Sequence, residues 1–318
     1  MKNFSFSLSP TVHTHLQSIE LLKRDILSTP LAPKTEMRLK FDGLISRIHG
    51  ILMLGGSEIT KKDVINQLTA SPFKQPETSP ILTLKKILTY VSTEWTVNTR
   101  SVSYTTLETL AQGLGETMRI GTIYTTELSH HKEPLSRLLK FLDASKDHPI
   151  VTATIAYLQI MAIAPLGTKT TQCALLLLYL FLHKYGYDLR GVVSIIPFWT
   201  DDMRTFGDLM VEIQTSDNFS RFIDFSVQKY LAELEDIKAN LTSAQIRFST
   251  PASLITLTER QRELLSLLDD PSASITNRIV QKRFRVSQIT ASRELSKLAN
   301  LGLLYPHGKG RSVSYTTV

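Results

Sequence analysis

The chain has a single cysteine, Cys173, among 318 residues. No intrachain disulfide can form, which fits a reducing compartment. No histidine is paired with it in any recognisable pattern, so Cys173 reads as a small buried hydrophobe rather than a nucleophile. Long apolar runs are also missing. The densest one, residues 173–182, falls short of the ~20 residues that a bilayer span requires. Residues 150–166 are interrupted by Thr152, Thr154, Tyr157 and Gln159. Both stretches are expected to be core helices, with no membrane partner. The opening residues MKNFSFSLSPTVHTHL hold no apolar segment leading to a cleavage site, so no signal peptide is expected. A cytoplasmic location follows as the expectation. What the chain has in quantity is apolar side chains, 42% of the total. That is ample for packed cores, and the length suggests two or three domains.

Positive charge is concentrated at one end. The net charge is +7. Residues 257–318 hold ten basic side chains against five acidic ones, a net of +5, which leaves +2 for all the rest. A basic excess packed into so short a segment points to a polyanionic partner.

Residues 148–182 organise the chain. They read as two apolar helices joined by a short turn. The first runs to Ile163, and Pro165 and Gly167 end it. Thr168, Thr170 and Thr171 are expected to supply capping oxygens for the second. That second helix, residues 173–182, is apolar all round and is expected in the middle of a bundle. Lys169 stands where free N–H groups and the helix dipole favour an anion. A solvated lysine beside capping threonines is the commoner arrangement.

The turn reads Ala164-Pro-Leu-Gly-Thr-Lys-Thr-Thr-Gln-Cys-Ala-Leu175. It is framed upstream by His148-Pro149, Ala153, Ala156, Gln159 and Ile163, and downstream by Tyr185-Gly186-Tyr187. This frame resembles the Fic family, whose signature is His-Pro-Phe-x-(Asp/Glu)-Gly-Asn-Gly-Arg-x-x-Arg between two central helices. The resemblance implies a Fic-like helical scaffold over roughly two-thirds of the chain. Family members mostly transfer AMP from ATP to a protein hydroxyl. Here Ala164 stands for the motif histidine that takes the hydroxyl proton. Thr168 stands for the acidic magnesium ligand, Lys169-Thr170-Thr171 for the phosphate cradle, and Gln172 and Leu175 for the two arginines. A general base alone contributes ~10²–10⁴ in rate, and here base, metal ligand and both cations are replaced together. No catalytic residue, metal or cofactor is therefore expected. One alternative remains, a residual or altered nucleotidyl or phosphoryl transferase acting on a protein hydroxyl. It would hold phosphate on Lys169, Thr170 and Thr171 and use ATP and Mg²⁺.

Two further segments extend the resemblance. Ile45-Ser-Arg-Ile-His49-Gly50 followed by Glu58-Ile-Thr60-Lys-Lys-Asp63-Val64 resembles the family's inhibitory segment, with His49 where the inhibitory glutamate would be. Ser57 or Thr60 is expected to cap the helix that follows, with Asp63 three residues after Thr60. Arg119-Ile-Gly-Thr-Ile-Tyr-Thr-Thr126 alternates β-branched residues and is expected to be extended. By resemblance it matches a small β-hairpin that pins the target chain. Under a second alternative, a non-catalytic interaction protein, residues 119–126 would hold a protein partner.

A Ser- and Thr-rich stretch with Pro251, residues 241–253, reads as a domain boundary. Beyond it come a helix capped by Thr258, a second from Ile275 to Phe284, a tight turn, and a third from Ser287 to about Asn300. Two strands then flank Gly308 and Gly310. This order resembles a winged helix-turn-helix. In the third helix, Ala291, Leu295 and Leu298 share the core face, and Ile289, Arg293, Ser296, Lys297 and Asn300 lie opposite. Ser287, Gln288, Ile289, Thr290, Arg293, Ser296 and Lys297, with Lys309 and Arg311 in the wing, are the candidate DNA contacts, because base edges need donors and phosphates need cations on one stripe.

The expected architecture is mainly α: a Fic-like helical bundle with a small β-hairpin, followed by a winged helix-turn-helix domain. Its parts are a helical region over residues 1–100, a Fic-like core over 101–245 and the winged helix over 256–318. The expected function is a transcription regulator that binds double-stranded DNA, its Fic-like body serving as scaffold, homodimerisation or sensing domain.

Overall fold

α-Helices dominate the computed structural model, which describes residues 4–70, 79–95, 100–115, 121–243, 257–268, 273–301, 303–307 and 313–317. The chain divides into two units. One comprises Met1–Pro30, Ser46–Ile59 and Thr78–Arg247, the other Leu31–Ile45, Thr60–Glu77 and Phe248–Val318.

The helices in chain order begin with α1 (Pro10–Ser28), α2 (Pro33–Leu54) and α3 (Lys61–Thr69). Next come α4 (Pro80–Glu94), α5 (Tyr104–Gly115), α6 (Gly121–Ser129) and α7 (Lys132–Ala144). The central pair is α8 (Pro149–Ile163) and α9 (Thr170–Lys184), followed by α10 (Ile196–Thr200), α11 (Met203–Ser216) and α12 (Ser220–Thr242). The last segment holds α13 (Glu259–Ser266), β1 (Ile275–Thr276), α14 (Asn277–Phe284), α15 (Gln288–Asn300), β2 (Leu304–His307) and β3 (Ser314–Thr317).

The larger unit is built around α8 and α9, which pack along each other. Every residue of α9 from Gln172 to Leu182 is buried, as an all-round apolar helix requires. Beside α8 lies an aromatic cluster: the Tyr157 and Trp199 rings are 5.2 Å apart, Trp199 and Phe222 5.4 Å, and Phe206 and Phe222 5.8 Å. The start of α8 is held by polar groups. His148 Nδ1 accepts the Ile150 N–H at 3.3 Å and caps the helix. That leaves the proton on Nε2, which donates to Glu20 of α1 at 3.0 Å. The Tyr187 hydroxyl donates to the same carboxylate, and the Lys23 ammonium sits 3.4 Å from the centre of the Tyr187 ring.

Two glycines are set by close approach. An ideal Cβ on Gly50 would lie 2.7 Å from Ile196 Cγ2. One on Gly55 would lie 2.8 Å from the Gln172 amide nitrogen.

Three sequence expectations are corrected. The segment expected to be an extended hairpin is helical from Gly121, while residues 119 and 120 lie outside the described residues. Tyr124 and Leu128, four apart, are both buried, and α6 packs on α5. Burial of a helical stripe outweighs the strand preference of the β-branched residues. The described strands all belong to the smaller unit instead. Secondly, α9 is not capped by a threonine. Its N-cap position is Lys169, without a side-chain cap, and the helix grows out of a 3-10 turn, Gly167–Lys169. Thr170 turns its hydroxyl back to accept the Leu166 N–H at 3.1 Å. Thirdly, the sheet has a third member: β1 pairs antiparallel with β3, in the order β1-β3-β2.

In the smaller unit α14 and α15 pack together, with β2 against α15. Ala291, Leu295 and Leu298 are fully buried along one face of α15. Strands β2 and β3 pair antiparallel from Leu304↔Thr317 to His307↔Ser314. Three side-chain caps are present. Thr60 and Asp63 form a capping box on α3, Thr258 and Gln261 form one on α13, and Ser287 caps α15 by accepting the Thr290 N–H.

Candidate functional sites

The turn between α8 and α9 is short and tightly wound. Ala164 closes α8 in a left-handed conformation, with φ +48°, and Gly167 has φ +48° as well. Pro165 and Leu166 are buried, whereas Ala164, Gly167 and Thr168 are exposed. Lys169 is half-buried, and burial pushes its ammonium below the usual lysine range. Its Nζ donates to Gln172 Oε1 at 3.2 Å. Gln172 and Leu175 are both buried, at 3% and 0% exposure. Thr170, buried, spends its hydroxyl on Leu166, and Thr171 is half-buried. Of the three residues singled out for phosphate, Lys169 and Thr170 are thus engaged inside the turn.

Burial raises the Cys173 thiol to about 12, so no thiolate forms near neutral pH. Among the described residues no group of three or more His, Cys, Asp or Glu is placed to hold a metal ion. No described helix is long and apolar enough to cross a membrane.

The second site is the face of α14 and α15. Gln288, Ile289 and Arg293 are exposed on α15, and Arg278, Lys282 and Arg285 are exposed on α14 and the turn after it. Ile289 is 54% exposed, among the largest apolar exposures of the described residues. Other candidate contacts are engaged locally. The Ser287 and Thr290 hydroxyls lie 3.0 Å apart, and Ser296 hydrogen-bonds Tyr315 of β3. Ser296 and Lys297 are half-buried. Lys309 and Arg311 lie outside the described residues. Two arginines of this segment face acids: Arg283 meets Glu263 at 3.3 Å and Arg260 meets Glu294 at 3.5 Å.

One positioning residue escaped the sequence reading. Asn277, at the start of α14, donates from Nδ2 to the Gln288 carbonyl at 3.1 Å and to Ser292 Oγ at 2.7 Å. Gln281 holds its other amide atom. The N-terminal turn of α15 is therefore fixed from the neighbouring helix. Asn277 heads a short polar helix, and no local pattern marks contacts 11 and 15 residues away.

No family pattern matches the sequence, and no curated protein does either. The chain's fold is nonetheless shared with a Fic family protein from Desulfovibrio desulfuricans G20, whose crystal structure matches at a TM-score of 0.58 and 10% identity, over 99% of this chain and 98% of that one.

Proposed function

We propose that the chain is a transcription regulator that binds double-stranded DNA through α14 and α15. Under this proposal residues 256–318 are a winged helix, and the Fic-like body over residues 101–245, with the helical region before it, is a non-catalytic scaffold. That body serves for homodimerisation or sensing, and the protein works in the cytoplasm. The observation that carries the proposal is the exposed stripe of Gln288, Ile289 and Arg293, bordered by exposed Arg278, Lys282 and Arg285. Cations for phosphate and donors for base edges meet there on two helices of helix-turn-helix order.

The loss of AMP transfer is part of the same proposal. It rests on Ala164, Thr168, Gln172 and Leu175, none of which supplies a base, a carboxylate or a cation. Both Gln172 and Leu175 are buried, so neither position offers a group to a bound nucleotide.

The test is a salt titration of the purified chain on random duplex DNA, with sequencing of the bound fraction. The expected result is enriched sites and an affinity that falls steeply with salt. Arg293→Ala is expected to weaken binding by ~10-fold, the size of one good base or phosphate contact. Equal affinity for wild type and Arg293→Ala, or no duplex binding at low salt, overturns the proposal.

A further inference from the structure

The polar side chains around the start of α15 are largely engaged within their own unit. Ser287 accepts the Thr290 N–H, and its hydroxyl meets that of Thr290 at 3.0 Å. Ser292 receives Asn277 Nδ2 at 2.7 Å, and Ser296 bonds Tyr315. Ile289, at the second position of the helix, stays 54% exposed between them. Cations flank it along the chain: Arg293 is exposed one helical turn after it, and Arg285 is exposed at the end of α14, before the turn into α15.

An exposed isoleucine among arginines is a poor seat for a second protein copy, which would bring the same cations to the same place. It suits a polyanion that offers an apolar spot. In the major groove only one base edge does so, the thymine C5 methyl. The helix is also held still for the purpose, because Asn277 ties the Gln288 carbonyl at 3.1 Å.

We infer that Ile289 is a specificity-determining side chain that selects a thymine by its methyl group. The inference rests on the DNA-binding proposal above and adds what the site reads. Ile289 and Arg293 lie one turn apart on the exposed face, so the apolar contact and a cationic contact address neighbouring base pairs.

The experiment uses the full chain and a duplex taken from the enriched sites. Each thymine in turn is replaced by deoxyuridine, which removes the methyl and nothing else. Wild type is expected to lose roughly fourfold in affinity at one position per half-site, the value of one buried methyl. Ile289→Ala is expected to bind thymine and deoxyuridine alike at that position, with its salt slope unchanged. Tolerance of deoxyuridine everywhere by wild type overturns the inference and leaves the DNA-binding proposal standing. Retained discrimination in Ile289→Ala overturns it as well. Absence of any duplex binding in the salt titration overturns both.

Discussion

Glu233 in α12 is completely buried, and one substitution there tests the electrostatics of the larger unit. Its Oε1 accepts the Ser194 backbone N–H, and its Oε2 has no partner among the described residues. Burial raises the carboxyl to about 8, against a partial offset from the Ser194 N–H and the Arg47 guanidinium, and Asp236 adds to the rise. The folded state therefore keeps a proton that the unfolded chain releases near 4.5. A raised carboxyl contributes stability that is complete below the unfolded value and is lost as pH rises through the folded one. Integrated from pH 5 to pH 8, the loss is roughly 3–4 kcal/mol. Glu233→Gln keeps an acceptor for Ser194 and cannot ionise. Urea unfolding followed by tryptophan fluorescence isolates this effect, since Trp95 and Trp199 both belong to the larger unit. Wild type is expected to lose roughly 3–4 kcal/mol more than Glu233→Gln between the two pH values. Equal losses in the two proteins would show that Glu233 is ionised in the fold or reached by water.

Three other outcomes are expected in the same unit. Gly50→Ala gains ~1 kcal/mol of helix propensity but drives a methyl to 2.7 Å from Ile196 Cγ2 and 2.9 Å from its Cβ, and overpacking of ~1–3 kcal/mol makes it a net loss, read as a lowered urea midpoint. Gln159 is 0% exposed, and neither amide atom has a partner among the described residues. Gln159→Leu should therefore raise the urea midpoint, by ~1–3 kcal/mol in stability, and a lowered midpoint would mean that the amide is bonded after all. Cys173 should resist an aromatic disulfide reagent in the native protein and react fully once unfolded; fast native reaction would contradict its burial.

The features that could be read from the sequence are those encoded within one turn of helix. The Leu run of α9 announces burial by itself. Thr60 with Asp63, Thr258 with Gln261, and Ser287 before Thr290 are caps written three residues apart. The core face of α15 follows from its period. What escaped depends on distant partners. Strand β1 exists because β3, some forty residues later, pairs with it. The helix α6 overrides its own β-branched composition by packing on α5. Asn277 and Glu233 acquire their roles only from neighbours that no spacing rule connects. At the α8–α9 turn the residue types were plain, but the hydroxyl of Thr170 and the ammonium of Lys169 found partners inside the turn instead of facing outward.

The division of the chain bears on how the protein is made. The smaller unit draws on Leu31–Ile45, Thr60–Glu77 and Phe248–Val318. Its first two pieces are synthesised before most of the larger unit and its last piece after it. The larger unit can gather its α8–α9 core while the chain is still growing, whereas the smaller one waits for the final segment. The whole of that unit cannot assemble before residues 248–318 have been made, and a fragment beginning at residue 248 would lack two of the three segments that compose it.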